Sequence, residues 1–179
     1  MKAPRLLTLL CHLTLSLGAL NAQHWQVRDL LEKNRGELQV TGNPLVRDDG
    51  CRTAVFFDGK GDGIFMDAMP LTGLQQFTIE VVFKPLRGGN FEQRFFHCGE
   101  IGGDRVAFVV NQGELSTYVN GKKELATTIR FTPIQTGKSS LGVRLNHLSW
   151  FKGAIEQVRI TSKALNADEL LQTEITPIR

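Results

Sequence analysis

From Glu37 onward, apolar and polar residues alternate with a period of two, the pattern of strands with one face buried. Phe77-Thr78-Ile79-Glu80-Val81-Val82-Phe83-Lys84 is the clearest run: Phe77, Ile79, Val81 and Phe83 share one face, Thr78, Glu80 and Lys84 the other. Pro85 closes it because proline has no amide proton to give a ladder. The same alternation predicts strands at Leu38–Thr41, Thr53–Phe57, Gly63–Asp67, Arg94–His97, Val106–Val110, Leu115–Val119, Leu125–Phe131, Ser139–Val143 and Ala154–Ile160. Turn residues separate them, among them Asp58-Gly59, Gly88-Gly89-Asn90 and Gly102-Gly103-Asp104. Asn120-Gly121 is a hairpin signal, since a type I′ turn needs positive φ at both central positions. Many short strands between Gly-rich turns predict an all-β antiparallel sandwich or barrel. Two segments read as helix: Trp25–Lys33, and Asn166–Leu171, where Asn166 can cap and Glu169 follows three residues on.

The first residues break the pattern. Lys2 and Arg5 precede an apolar run from Leu6 to Leu20, too short for the roughly twenty residues of a membrane span. This reads as a signal peptide, residues 1–22, cleaved after Ala22. The expected location is therefore outside the cytoplasm: secreted, periplasmic or at the cell surface. A single domain, 23–179, remains, with 157 of the 179 residues, a size that suits one core. Loss of Lys2 and Arg5, with no acidic residue removed, lowers the net charge from +3 to +1. A near-neutral chain without a basic cluster speaks against nucleic acid as a partner, and no later stretch is apolar enough to span a membrane.

Two cysteines remain after cleavage, Cys51 and Cys98. In an oxidising compartment they either pair as a disulfide or stay as buried thiols, and sequence alone leaves both open.

Several motifs recur in order: Phe57-Asp58-Gly59, the strand from Phe77 to Pro85, Tyr118-Val119-Asn120-Gly121, and Phe151-Lys152-Gly153-Ala154-Ile155-Glu156-Gln157-Val158-Arg159-Ile160, followed by Ala164-Leu165 and Asp168-Glu169-Leu170. The series resembles the laminin-G-like jelly rolls of the concanavalin A-like lectin/glucanase superfamily. It implies a two-sheet jelly roll with its first and last strands side by side, closed by a short C-terminal helix. The Trp-x-His-Val-Ala opening usual in that family has no counterpart before Val106, which implies a sandwich abbreviated by a hairpin. Where such domains usually carry Asp in the last motif, this chain has Glu156.

Glucanases of this superfamily flank the glycosidic bond with paired carboxylates. No such pair is visible: Glu80 stands alone among apolar neighbours, and Glu92, Glu100 and Glu114 fall in or beside turns, so all four read as solvated. No enzymatic activity is expected. Asp58 and Asp62 lie in a Gly-rich turn able to offer oxygens to calcium, and the resemblance implies that Glu156 approaches them. The alternative is that Asp58 bonds only its own turn. His97 and His147 lack the spacing of a transition-metal site. Among the aromatic pairs Phe95-Phe96 and Trp150-Phe151, one member of each should face the core and its neighbour outward, where it could stack on a sugar ring, or under a loop. Trp150 and Phe96, with Arg94, Arg144 and Asn146 as hydrogen-bonding partners, are the candidate binding residues. The expected function is a secreted, non-catalytic module for carbohydrate or another cell-surface ligand. The alternatives are a structural or protein-interaction domain using an exposed edge strand, and a glycoside hydrolase.

Overall fold

The computed structural model describes residues 22–33, 38–48, 52–99, 110–111 and 113–171. They form twelve strands, one short helix and a 3-10 turn. The larger sheet contains β1 (Ala22–Gln26), β3 (Leu45–Asp48), β4 (Thr53–Asp58), β6 (Gln76–Pro85), β8 (Val110–Asn111), β9 (Glu114–Val119), β10 (Lys122–Thr128) and β12 (Lys152–Thr161). Its order is β10-β9-β8-β6-β12-β4-β3. The smaller sheet holds β2 (Gln39–Thr41), β5 (Gly63–Met66), β7 (Phe96–Gly99) and β11 (Lys138–Leu141), in the order β2-β5-β11-β7. All pairings are antiparallel among the described residues.

The side-by-side placement implied by the two terminal motifs is observed. Lys152 stands opposite Asp58 and Gly153 opposite Phe57. Beyond that ladder β12 continues against β1, with Ala22 opposite Thr161 and Gln26 opposite Gln157. The other edge of β12 runs along β6 for its full length, interrupted by a bulge between Ile155 and Gln157. That extra residue changes the parity of the strand. Ile155 and Val158, three apart, would face opposite ways on a regular strand. With the bulge both are fully buried.

The core lies between the sheets. Val55, Phe57, Phe77, Ile155, Val158 and Ile160 of the larger meet Ile64, Met66, Phe96, Cys98 and Leu141 of the smaller. Burying a side chain such as Phe77, with no exposed surface, contributes about 1.5–3 kcal/mol. A second cluster, Phe65, Val143, Leu145 and Trp150, covers the outer face of the smaller sheet beneath the 142–151 segment.

Some expectations need correction. Trp25 and Gln26 belong to β1, and the helix α1 begins only at Val27 and runs to Lys33. The residues before it are held extended by pairing with β12, which outweighs local helix preference. At the other end Ala167–Glu169 make one 3-10 turn rather than a helix. Glu169 accepts the Asn166 amide at 2.8 Å, as the spacing suggested. The strand expected at Arg94–His97 begins at Phe96 and extends to Gly99. Val106–Val109 and Cys51 lie outside the described residues, as do residues 1–21, which hold the expected signal peptide.

Candidate functional site

Phe83 sits near the end of β6. Its face is the core face, shared with Phe77 and Val81, yet it is 41 % exposed. It stacks almost parallel on Phe95, with ring centroids 4.2 Å apart and planes 17° apart. Both rings meet buried Phe151 edge-on, at 6.0 and 6.2 Å. This edge-to-face contact fixes the stack from below, a favoured aromatic geometry. Phe151 is itself anchored by its backbone amide, which donates a hydrogen bond to the Gly142 carbonyl at 2.8 Å.

Phe83 and Phe95 form part of the wall of a groove of about 710 Å³ between β6, the β9–β10 hairpin and the 164–171 segment. The hairpin contributes Ser116, Thr117, Tyr118 and Asn120. Asn120 has φ 50° and Gly121 φ 75°, so the turn takes the form its sequence predicts and places the Asn120 amide at the groove rim. Lys123 lies over the Tyr118 ring, 5.6 Å from its centroid.

The other face of β6, away from Phe83, carries Glu80. Its side chain, 11 % exposed, pairs with Arg159 directly across the ladder and accepts the Leu171 amide at 2.6 Å. Arg159 in turn donates to the Glu169 carbonyl at 2.9 Å. Thr78, two residues earlier on the same face, donates to the Lys163 carbonyl and accepts the Leu165 amide. The 163–171 segment is thereby strapped over the sheet. Glu80 is thus a buried structural anchor, not the solvated carboxylate expected: the strap covers a face that alternation alone assigns to solvent. Glu169 is held below the usual carboxylate range by hydrogen bonds from Lys163 and the Asn166 amide.

The five residues expected to bind ligand divide between two places. Phe96 is 3 % exposed and packs edge-on against Trp25, so it floors the groove and offers no outward stacking face. Phe95, its neighbour, is the ring turned toward the groove with Phe83. Arg94, Arg144, Asn146 and Trp150 gather instead at the 142–151 segment, beyond the smaller sheet. The Arg94 amide bonds the Ser149 carbonyl at 2.8 Å, the Arg144 amide that of Leu148 at 3.0 Å. There His147 stacks on Phe65 at 4.7 Å and meets Trp150 edge-on at 6.0 Å. His147 and Ser149 both take left-handed backbone, φ 59° and 55°, an uncommon state for residues other than glycine.

Asp58 and Asp62 are brought together, chiefly by backbone amides. Asp58 Oδ1 accepts from Lys60, Gly61 and Asp62, and Asp62 accepts from Asn43 at 2.7 Å and Asp58 at 2.9 Å. Burial raises the Asp58 pKa, but the amides of Gly61, Lys60 and Asp62 outweigh it and leave the carboxyl below its ordinary value. Glu156 does not approach them. It ion-pairs with Arg52 at 3.0 Å and stands four residues along β12 from the partner of Asp58, about 13 Å away at strand rise. Among the described residues no group of three or more His, Cys, Asp or Glu is arranged to hold a metal. Cys98 is a free, buried thiol whose pKa burial pushes up to about 11.

Phe83 is the functional candidate that alternation conceals, because period two reports which face a residue shares, not whether the opposing sheet reaches far enough to cover it.

Residues 103–171 match the family model Laminin_G_3, described as the concanavalin A-like lectin/glucanases superfamily. Among solved structures the chain is similar to domain 4 of AbnA, a GH43 extracellular arabinanase from Geobacillus stearothermophilus, in complex with arabinotriose. The TM-score is 0.57 with 17 % identity, over 74 % of this chain and 85 % of that one. No curated protein matches this sequence. The likeness to that solved domain shows a β-sandwich fold, and the family-model match over residues 103–171 accords with it.

Proposed function

We propose that the chain is an exported, non-catalytic carbohydrate-binding module that holds an uncharged saccharide in the groove along β6. The observation that carries this reading is the fixed Phe83–Phe95 stack, exposed on one side in a groove rimmed by hydroxyls and amides. A sugar ring presents apolar C–H faces and equatorial hydroxyls, which such a mixture of flat apolar surface and convergent polar groups suits. The likeness to a domain solved with arabinotriose supports the same reading. Its non-catalytic character rests on Glu80, whose carboxylate is engaged by Arg159 and the Leu171 amide and is not poised to deliver a proton or attack carbon.

Affinity electrophoresis through linear arabinan, xylan and β-glucan gels, followed by calorimetry with the matching trisaccharide, tests the reading. Retardation on at least one neutral polysaccharide, without release of reducing ends, is expected; free migration through all of them contradicts it. Docking through the edge strand β10 is less favoured, because Lys122 and Lys123 place charge along that edge, a common guard against strand addition.

A further inference from the structure

From Leu86 to Gln93 the chain leaves β6 and returns to the same place, because Lys152 clasps both ends of this loop. The Lys152 carbonyl accepts the Leu86 amide at 2.9 Å, and the Lys152 amide donates to Gln93 Oε1 at 2.7 Å. The loop is packed on itself as well. A Cβ added at Gly89 would lie 2.5 Å from Gln93 Oε1, and one added at Gly88 would lie 3.2 Å from Lys152 Nζ. Gly88 takes left-handed backbone, φ 78°, where the chain turns. Phe91 projects from this closed loop with 109 % of its reference surface exposed, more than any other large apolar side chain among the described residues. Leu86, at the foot of the loop, is 37 % exposed. The neighbouring 145–149 turn is joined to the loop by the Arg94 amide, which donates to the Ser149 carbonyl at 2.8 Å, and it adds Leu148, 58 % exposed.

Positive charge surrounds these apolar side chains. Residues 84–94 hold the cations Lys84, Arg87 and Arg94 and a single carboxylate, Glu92, which pairs with Arg94 at 2.8 Å. Lys84 and Arg87, both exposed, form no ion pair among the described residues. Lys152 adds an ammonium beside Gly88 that is likewise unpaired there. A phenyl ring held clear of its own chain and rimmed by cations suits a partner that is hydrocarbon within and anionic at its surface. A second copy of the chain is a poorer occupant, because the same loop would set like charge against like.

We propose that the 86–93 loop docks the protein on the surface of an anionic lipid bilayer. Phe91 enters the interface, with Leu86 and Leu148 at its edge, and Lys84, Arg87 and Lys152 meet the phosphate headgroups. The chain lies on the membrane through this loop and does not cross it. Closure by Lys152 fixes the loop beforehand, so little conformational freedom is lost on docking. The site stands independently of the saccharide reading, since Phe91 is not part of the groove wall.

The test is co-sedimentation of the full chain with vesicles of phosphatidylcholine alone, and of equal parts phosphatidylcholine and phosphatidylglycerol. Wild type and variants share one N-terminus, so differences between them report on the loop. Saturable binding to the mixed vesicles is expected, weakened by added salt and roughly tenfold or more weaker on phosphatidylcholine. Phe91→Ala should bind the mixed vesicles roughly tenfold less well, with Tm unchanged because the ring is fully exposed in the free protein. Arg87→Gln should lose about fivefold. In both variants polysaccharide retardation should match the wild type, so failure of this proposal and failure of the saccharide reading are told apart. No binding to either vesicle overturns the proposal, as does binding that ignores lipid charge. Equal vesicle binding by wild type and Phe91→Ala overturns it too, since the attraction would then be to charge alone. Phe91-dependent dimerisation without lipid, seen by sedimentation velocity, would assign the loop to a second copy and contradict it.

Discussion

Glu80 and Arg159 face each other across the central β6–β12 ladder and ion-pair on its outer face, where side-chain exposure falls to 11 % and 23 %. The pair is roofed by the chain that follows it, since Leu171 donates its amide to Glu80 and Glu169 accepts from Arg159. Removing one partner leaves the other charge shielded from water and uncompensated. Glu80→Ala should therefore destabilise the protein by about 2–3 kcal/mol, with protease sensitivity appearing first in the 163–171 strap. Chemical denaturation with limited proteolysis measures both. A loss below about 0.5 kcal/mol would mean that the strap is held by other contacts.

Asp62 ties two loops together by accepting the amides of Asn43 and Asp58. Asp62→Ala strands both donors in a site where the residue is 7 % exposed, and should cost about 1–3 kcal/mol. Gly42 makes the same point from the other side. It has φ 67°, and an added Cβ would lie 2.3 Å from Asp62 Oδ1 and 2.6 Å from the Gly61 carbonyl oxygen. Gly42→Ala should destabilise comparably, and a neutral result from urea unfolding of either variant would contradict this tie.

Stability should decline on acidification in two steps. His97 has a folded pKa below its ordinary 6.5, so the unfolded chain takes up the proton first. Its contribution is intact above pH 6.5 and is lost as the pH falls from there through the depressed folded value. Asp58 acts in a lower window. Its carboxylate contributes above the unfolded value of 3.8, and the contribution is lost as pH falls below that through the folded value. Thermal unfolding from pH 3 to pH 8, in low chloride, should show both slopes. His97→Gln should remove the upper one while leaving the lower, and an unchanged upper slope would show that another group is responsible.

Cys98 should be inert while the protein is folded. With its pKa at about 11, its thiolate fraction at pH 8 is roughly a hundredfold below that of an ordinary thiol, and burial blocks access as well. Thiol titration with a chromogenic disulfide should therefore be slow in buffer and prompt in denaturant. Prompt reaction of Cys98 in buffer would contradict its burial.

Most strands were legible because alternation, Pro85 and the Asn120-Gly121 turn act locally. β1 and β3 were not, for a reason visible in their partners. Ala22–Gln26 and Leu45–Asp48 carry weak patterns and are extended because β12 and β4 pair with them. The same dependence on distant chain explains Glu80, which alternation places in solvent and the 163–171 strap covers. Phe83 is likewise assigned to the core by its neighbours, yet its cover comes from Phe95 and Phe151 of distant segments and leaves it 41 % exposed. Of the residues chosen for ligand contact, Arg94, Arg144, Asn146 and Trp150 do come together. Nothing in the sequence indicated that Phe95 and Phe96 would exchange roles, because that follows from the bend before β7. Glu156 was placed near Asp58 by family likeness, and the geometry of β12 separates them.

The central claim is that Phe83 is the surface on which a saccharide rests. Phe83→Ala removes a ring already 41 % exposed, so about 1 kcal/mol of stability should be lost and the fold retained. Isothermal titration of the wild type and this variant with the trisaccharide of whichever neutral polysaccharide retards the protein is the direct test. Affinity roughly tenfold or more weaker in Phe83→Ala, with Trp150→Ala unaffected, is the expected result. Equal affinity in wild type and Phe83→Ala, or loss confined to Trp150→Ala, would move the binding surface away from the groove and contradict the account.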